Sequence, residues 1–128
     1  MQKKVITTPL GPPAIGPYTQ AIQAGNWVFV SGQIPLDPAT GKLIEDKSVV
    51  AQTRRSLQNI QGILTAAGAS LNDVVKVTIY LDDMGDFSEV NGVYSEFFQS
   101  SRPARATVQV AGLPMGVAIE IDCIALVD

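Results

Sequence analysis

Only two stretches of this chain carry a helical period, and both lie between runs that alternate like strands. Ser48 stands before the first, which runs to Ala67 with Val50, Thr53, Leu57, Ile60, Leu64 and Ala67 on one face and Gly68 as its stop. Asp86, with Glu89 three residues later, resembles a capping box opening the second, whose apolar stripe is Phe87, Val90, Tyr94 and Phe97. Around these helices, Tyr18 to Ala24 and Trp27 to Gly32 read as strands joined by a tight Gly25-Asn26 turn, and Asp37 to Gly41 marks another reversal. Val74 to Leu81 is a strand rich in β-branched residues. Two more strands, Ala106 to Val110 and Val117 to Val127, flank the Leu113-Pro114-Met115-Gly116 turn, while Pro9 to Pro17 is too dense in Pro and Gly for regular structure. Helices set between strands require crossovers, and two helices cover only one face of a mixed sheet of about six strands. The expectation is an α+β fold, one domain over residues 1–128.

The helix-free face is not polar enough to be left in water. In the last strand Ile119, Ile121, Cys123 and Ala125 lie on one side, while Ile124 and Leu126 follow Glu120 and Asp122 on the other. A monomer seldom leaves a large apolar patch bare, so this face predicts a homo-oligomer.

Composition removes several kinds of chemistry. The chain has no histidine, which excludes Ser-His-Asp and Cys-His catalysis and the commonest transition-metal ligand. Its one cysteine, Cys123, sits among strand residues and reads as a buried, inert thiol. Nine basic against twelve acidic residues give a net charge of −3 without a basic cluster, so no nucleic-acid partner is expected. The start lacks a signal-like apolar run and no stretch is long enough to span a membrane, which points to the cytosol. No glycine loop suits a phosphate, and Asp82, Asp83 and Asp86 are explained by a polar loop and a helix cap rather than a metal.

Chemistry therefore falls to arginine, carboxylates, hydroxyls and backbone. Arg105 follows Pro103-Ala104 among small or apolar neighbours, and its planar fork suits a carboxylate; a salt bridge to Glu96, Glu120 or Asp122 is the alternative. Glu120 interrupts an apolar strand, where a carboxylate is costly unless it is paired, faces solvent or serves a site such as one orienting water. Ser31-Gly32-Gln33 ends a strand with a glycine that admits close approach to backbone, or else a simple turn. Tyr18 can cover a pocket or simply pack, and Asn91 can bond a ligand or a loop carbonyl.

Taken together, Ala14-Ile15-Gly16-Pro17-Tyr18, Ser31-Gly32-Gln33-Ile34-Pro35, Val90-Asn91, Pro103-Ala104-Arg105 and Leu113-Pro114 leading to Ile119-Glu120-Ile121 closely resemble the Rid (YjgF) family, from about residue 5 onward. The likeness is greatest to its RidA subgroup of 2-iminobutanoate/2-iminopropanoate deaminases. It implies a fold similar to the bacterial α+β chorismate mutase, a homotrimer with sites in the clefts between subunits, and no cofactor. The implied substrates are small imino acids released by pyridoxal-phosphate-dependent dehydratases, hydrolysed to 2-keto acids and ammonia without a stable complex with those enzymes. By position, Arg105 matches the family's carboxylate-binding arginine and Glu120 the acid associated with the hydrolytic water. Tyr18, Ser31, Gly32, Asn91 and the backbone of Thr107 match cleft-lining positions.

Three other readings compete: a small-anion-binding regulatory module without turnover, an RNA-directed activity, and a chorismate-mutase-like enzyme. The last would need more cationic groups for its dicarboxylate than the lone Arg105 visible in the sequence. Many relatives carry cysteine where this chain has Thr107, and a threonine keeps the main-chain contact while removing an oxidisable thiol. Hypochlorite treatment is accordingly expected to produce no reversible change in activity through residue 107, as checked by activity before and after reduction and by mass spectrometry.

Overall fold

The alternation at Val74–Leu81 and Ile119–Leu126 builds two long strands that lie antiparallel in the middle of the sheet, with Ile79 opposite Ile121 and Leu81 opposite Ile119. The computed structural model describes residues 2–128. In chain order its elements are β1 (Lys3–Ile6), β2 (Ala21–Ala24), β3 (Trp27–Gln33), α1 (Val49–Ala66), β4 (Val74–Leu81), α2 (Phe87–Phe97), β5 (Ala104–Gln109) and β6 (Ile119–Leu126). The strands form one six-stranded sheet in the order β1-β2-β3-β6-β4-β5, antiparallel except for the parallel pair β4 and β5 that flanks the α2 crossover.

Both helices serve the same face. Val28, Val77, Ile79, Leu81, Ile119, Ile121 and Ala125 are no more than 1% exposed there, against Leu57, Ile60, Ile63 and Leu64 of α1 and Val90 of α2. The opposite face carries Trp27 and Phe29 of β3, Leu126 of β6 and Val108 of β5, each 40–45% exposed. The α+β class, the mixed six-stranded sheet and the one-sided helices thus follow the expectation from the sequence.

Ser48 caps α1 as expected, its Oγ accepting from the Ala51 amide at 3.2 Å, and Gly68 with φ +75° follows the helix end. The buried face of α1 is wider than the expected stripe, because Gln52, Ser56 and Asn59 are buried beside Thr53. Asn59 donates to the carbonyls of Leu36 at 2.9 Å and Ile34 at 3.3 Å, and Gln52 accepts from the Ala118 amide at 2.8 Å. These amides tie loops to the helix, which an apolar period alone does not reveal.

Two expectations are corrected and one strand is added. Asp86 makes no side-chain cap: it ends a 3-10 turn at Met84–Asp86 with helical backbone angles, and Asp83 caps that turn by accepting from Gly85 at 2.8 Å. Phe87 is 39% exposed rather than part of the buried stripe, whose inner members are Val90, Val93, Tyr94 and Phe98. Strand β1 was not anticipated, because Lys3, Lys4 and Val5 are exposed and only Ile6 is buried. Its place comes from the backbone ladder to β2, with Val5 opposite Ile22.

Strand bounds moved as well. β2 begins at Ala21 rather than Tyr18, because the side chain of Gln20 turns inward to hold the Pro-rich arm. Its Oε1 accepts from Thr8 N at 2.7 Å, and its Nε2 donates to the carbonyls of Pro12 at 2.8 Å, Thr8 at 3.0 Å and Gly11 at 3.2 Å. β5 starts earlier, at Ala104, and β6 later, at Ile119, after a 3-10 turn at Pro114–Gly116 that holds Met115 at φ 57°. Since Gln20 is 4% exposed, Gln20→Ala leaves several buried arm groups unpaired and should cost about 2–3 kcal/mol. Urea unfolding at fixed protein concentration measures this, and limited proteolysis should cut the arm first.

Candidate active site

The site residues named from the sequence fall into two groups on different parts of the chain. The first is built on an irregularity at the end of β3. Val30 pairs with Cys123 and Gln33 with Ile121, so Ser31 and Gly32 together oppose the single residue Asp122. Such a bulge re-aims side chains and opens the backbone. Ser31 Oγ donates to the Thr19 carbonyl, and Ser31 N donates to the Gln20 carbonyl at 2.9 Å, which fastens the bulge to the segment carrying Tyr18. Tyr18 is 47% exposed, and its hydroxyl accepts from the Ile15 amide at 3.3 Å.

Gly32 is required by its neighbour across the bulge. A Cβ at this position would sit 2.0 Å from Glu120 Oε2 and 2.8 Å from its carboxyl carbon, so only a glycine lets the carboxylate lie against the strand. Glu120, Tyr18, Ser31 and Gly32 line one cleft of ≈390 Å³ with Ile15, Ile34 and Pro114. Burial, and then the charge of Asp122 on the same strand face, push the Glu120 carboxyl above its usual range. Asp122 in turn accepts from Tyr80 Oη at 2.9 Å, and Tyr80 stands opposite Glu120 in the ladder.

The second group lies at the other end of the sheet, where β5 is an edge. Arg105 is level with Val77 and Thr107 with Ile79, which turns both side chains toward the helix-covered face. The Arg105 guanidinium lies over the Tyr94 ring at 4.7 Å and the Phe87 ring at 5.6 Å, and Tyr94 stacks on Phe98 at 4.7 Å. None of the three acids considered from sequence pairs with it, because Glu96 is held by Arg54 at 3.0 Å, Asp122 by Tyr80, and Glu120 lies across the sheet. Asn91 and Arg105 line a cleft of ≈460 Å³ along α2.

Strand direction fixes what Thr107 presents. Val110 N donates to the Leu81 carbonyl at 2.9 Å, so alternate residues of β5 face β4 with their backbone groups. Arg105, Thr107 and Gln109 lie between them and turn their N–H and C=O to the open edge. The Thr107 hydroxyl is buried without a hydrogen-bond partner.

Arg105 with Asn91 and Glu120 with Tyr18, Ser31 and Gly32 therefore occupy separate clefts, and a single chain does not bring the two groups together. The aromatic seat under Arg105 left no sign in the amino-acid order, because Tyr94 and Phe87 read only as core. Arg102, which also lines the Arg105 cleft, and the Tyr80–Asp122 pair beside Glu120 were missed too. A partial signal for the latter was present, since Glu120 and Asp122 are two apart in one strand. Among the described residues no group of three or more His, Cys, Asp and Glu could hold a metal, and no helix is long and apolar enough to cross a membrane. Burial pushes the Cys123 thiol up to about 12, which keeps it protonated and unreactive near neutral pH.

The raised Glu120 carboxyl makes a stability prediction with a definite sign. Its folded state holds a proton over a pH range where the unfolded chain has lost it, so its penalty is absent in acid and accrues as pH rises through the ordinary glutamate value. Glu120→Gln should then melt at a higher temperature than the parent at pH 7, with the gap closing below pH ~4. Thermal melts across that range decide it, and an equal gap at both ends would place the effect elsewhere.

Comparison with known proteins agrees along the whole chain. Residues 8–127 match the family model described as Endoribonuclease L-PSP. A RutC family protein of Pyrococcus abyssi is 54% identical over 98% of each chain, and the mouse 2-iminobutanoate/2-iminopropanoate deaminase is 48% identical over 97% of this chain and 91% of its own. The crystal structure of Escherichia coli TdcF with bound serine superposes with a TM-score of 0.91 at 44% identity, covering 98% of this chain and 99% of that one. With fold, motifs and near full-length identity in agreement, the chain belongs to the Rid/YjgF family, the family of the L-PSP model.

Proposed function

We propose that this protein hydrolyses small 2-imino acids, 2-iminobutanoate and 2-iminopropanoate, to the 2-keto acids and ammonia. The observation that carries the reading is Arg105: a guanidinium seated on two rings, with no ion pair to an acid among the described residues, and with its planar fork available to a carboxylate. Relatives named as 2-iminobutanoate/2-iminopropanoate deaminases at 48% identity support it, as does a relative crystallised with serine, a small amino acid whose carboxylate such a fork would suit.

A protonated imine is already electrophilic, so the protein has to fix the anion, direct one water and accept its proton. Arg105 and the Gly32 amide orient the carboxylate, the outward backbone of Thr107 supplies further hydrogen bonds, and Tyr18, Ser31 and Asn91 shape the cleft. Glu120 directs the water to the C=N carbon. Its raised affinity for a proton suits a base that must hold one briefly near neutral pH, and collapse of the carbinolamine releases ammonia. No step requires a metal or cofactor.

Arg105 and Glu120 act together only if a second copy brings its Arg105 cleft against the Glu120 cleft of the first. The exposed Trp27, Phe29, Val108 and Leu126 on the helix-free face supply apolar area for such packing. The two clefts are different surfaces, so the contact is heterologous, and the closed ring of three that the family resemblance implies is one assembly such a contact builds. The family model's description names an endoribonuclease, but an acidic balance of −3 and the lack of histidine give RNA cleavage little support in this chain.

Arg105→Ala should abolish keto-acid acceleration in a threonine dehydratase-coupled assay, and full activity in that variant would overturn the reading. A non-catalytic anion-binding module would accelerate nothing even as wild type. Arg105→Ala and Glu120→Gln, each inactive alone, should recover roughly a quarter of wild-type activity when unfolded together and reassembled, since random mixing completes that share of shared sites. No recovery would mean that both groups serve one chain.

A further inference from the structure

Arg105 is not the only cation in its cleft. Arg102, three residues earlier and just ahead of β5, lines the same ≈460 Å³ space, with Asn91, Ser95 and Gln99 as neutral polar groups and no carboxylate in the lining. Glu96, next to Ser95 on α2, is engaged by Arg54 at 3.0 Å, and among the described residues that is the single ion pair. The cleft thus holds two guanidinium groups that, among the described residues, form no ion pair.

Two like charges facing one cleft repel, and a ligand carrying two negative charges relieves that repulsion where a monoanion does not. 2-Iminobutanoate and 2-iminopropanoate bring one carboxylate, which Arg105 takes, and they leave Arg102 unmatched. At ≈460 Å³ the cleft also has room beyond the one- or two-carbon side chains of those imines. Arg105 read from the sequence as a lone cation, which counted against a chorismate-mutase-like enzyme with its dicarboxylate; the folded chain supplies a second cation.

We propose that Arg102 is a specificity-determining residue that grips the second carboxylate of 2-imino dicarboxylates, extending the substrate range to imines of acidic amino acids. This rests on the deaminase reading above. The reaction is the same and balances without an added oxidant or reductant. Water oxygen bonds to the imine carbon, the C–N bond breaks as the C=O forms, both water protons pass to nitrogen, which leaves as ammonia, and the distal carboxylate is unchanged.

The test compares wild type, Arg102→Gln and Arg105→Ala on 2-iminobutanoate made by threonine dehydratase and on 2-iminoglutarate made by an L-glutamate oxidase. The imine that escapes is trapped as its semicarbazone. Wild type should accelerate both, and Arg102→Gln should lower the ratio of kcat/KM for 2-iminoglutarate to that for 2-iminobutanoate roughly fivefold, as befits a solvent-exposed ion pair. Competitive inhibition by 2-oxoglutarate should weaken relative to 2-oxobutanoate by a similar factor. An unchanged ratio, or wild type acting on 2-iminobutanoate alone, overturns the role of Arg102 and leaves the deaminase reading standing. If wild type accelerates neither imine, the deaminase reading falls and this inference with it. Arg102 is exposed, so a folding failure in Arg102→Gln is not expected, and circular dichroism of each variant checks it.

Discussion

Val28, Val77, Ile79, Ile119 and Ile121 are buried because α1 and α2 lie over them, while the alternate residues of the same strands face away from any helix. That one-sidedness governs the rest of the molecule. The strand period of two sends Glu120, Asp122 and Tyr80 to the bare face and Arg105 and Thr107 to the covered one. A register slip of one residue would exchange the two sets, so the pairing that protects the core also decides which chemical groups meet.

Within that frame the two clefts use different physics. Arg105 keeps its charge available because aromatic rings seat it, where a carboxylate would have consumed its hydrogen bonds. Glu120 is handled in the opposite sense, since burial and a neighbouring acid favour its neutral form and make it a better proton acceptor. A cation left free for an anion and a carboxyl raised toward neutrality are what addition of water to a carboxylate-bearing imine asks of a protein without histidine.

Much of this was legible in the amino-acid order. The α1 cap at Ser48, the central strand at Val74–Leu81 and the α+β class rest on local periods and turn residues, and these survive folding unchanged. What escaped was tertiary. β1 is an edge strand without apolar alternation, Asp86 lost its cap to a preceding 3-10 turn, and the buried amides of Gln52 and Asn59 interrupt an apolar stripe. In the candidate site, Arg105 and Glu120 stood out as charges in apolar strands. Which rings or acids surround each depends on how α2 crosses β5 and on the bulge at Ser31 and Gly32, neither of which a one-dimensional pattern records.

The parallel pairing of β4 and β5 obliges the chain to cross over through α2, and that helix carries Tyr94 and Phe87. The element that seals one end of the core is thus also the seat of the guanidinium, so anion occupancy and the opening of α2 are thermodynamically linked. An anion that binds only the seated arginine draws population away from states in which the helix has lifted. Its signature in the molecule is slower amide exchange along the whole of Phe87–Phe97, including the turns that do not line the cleft.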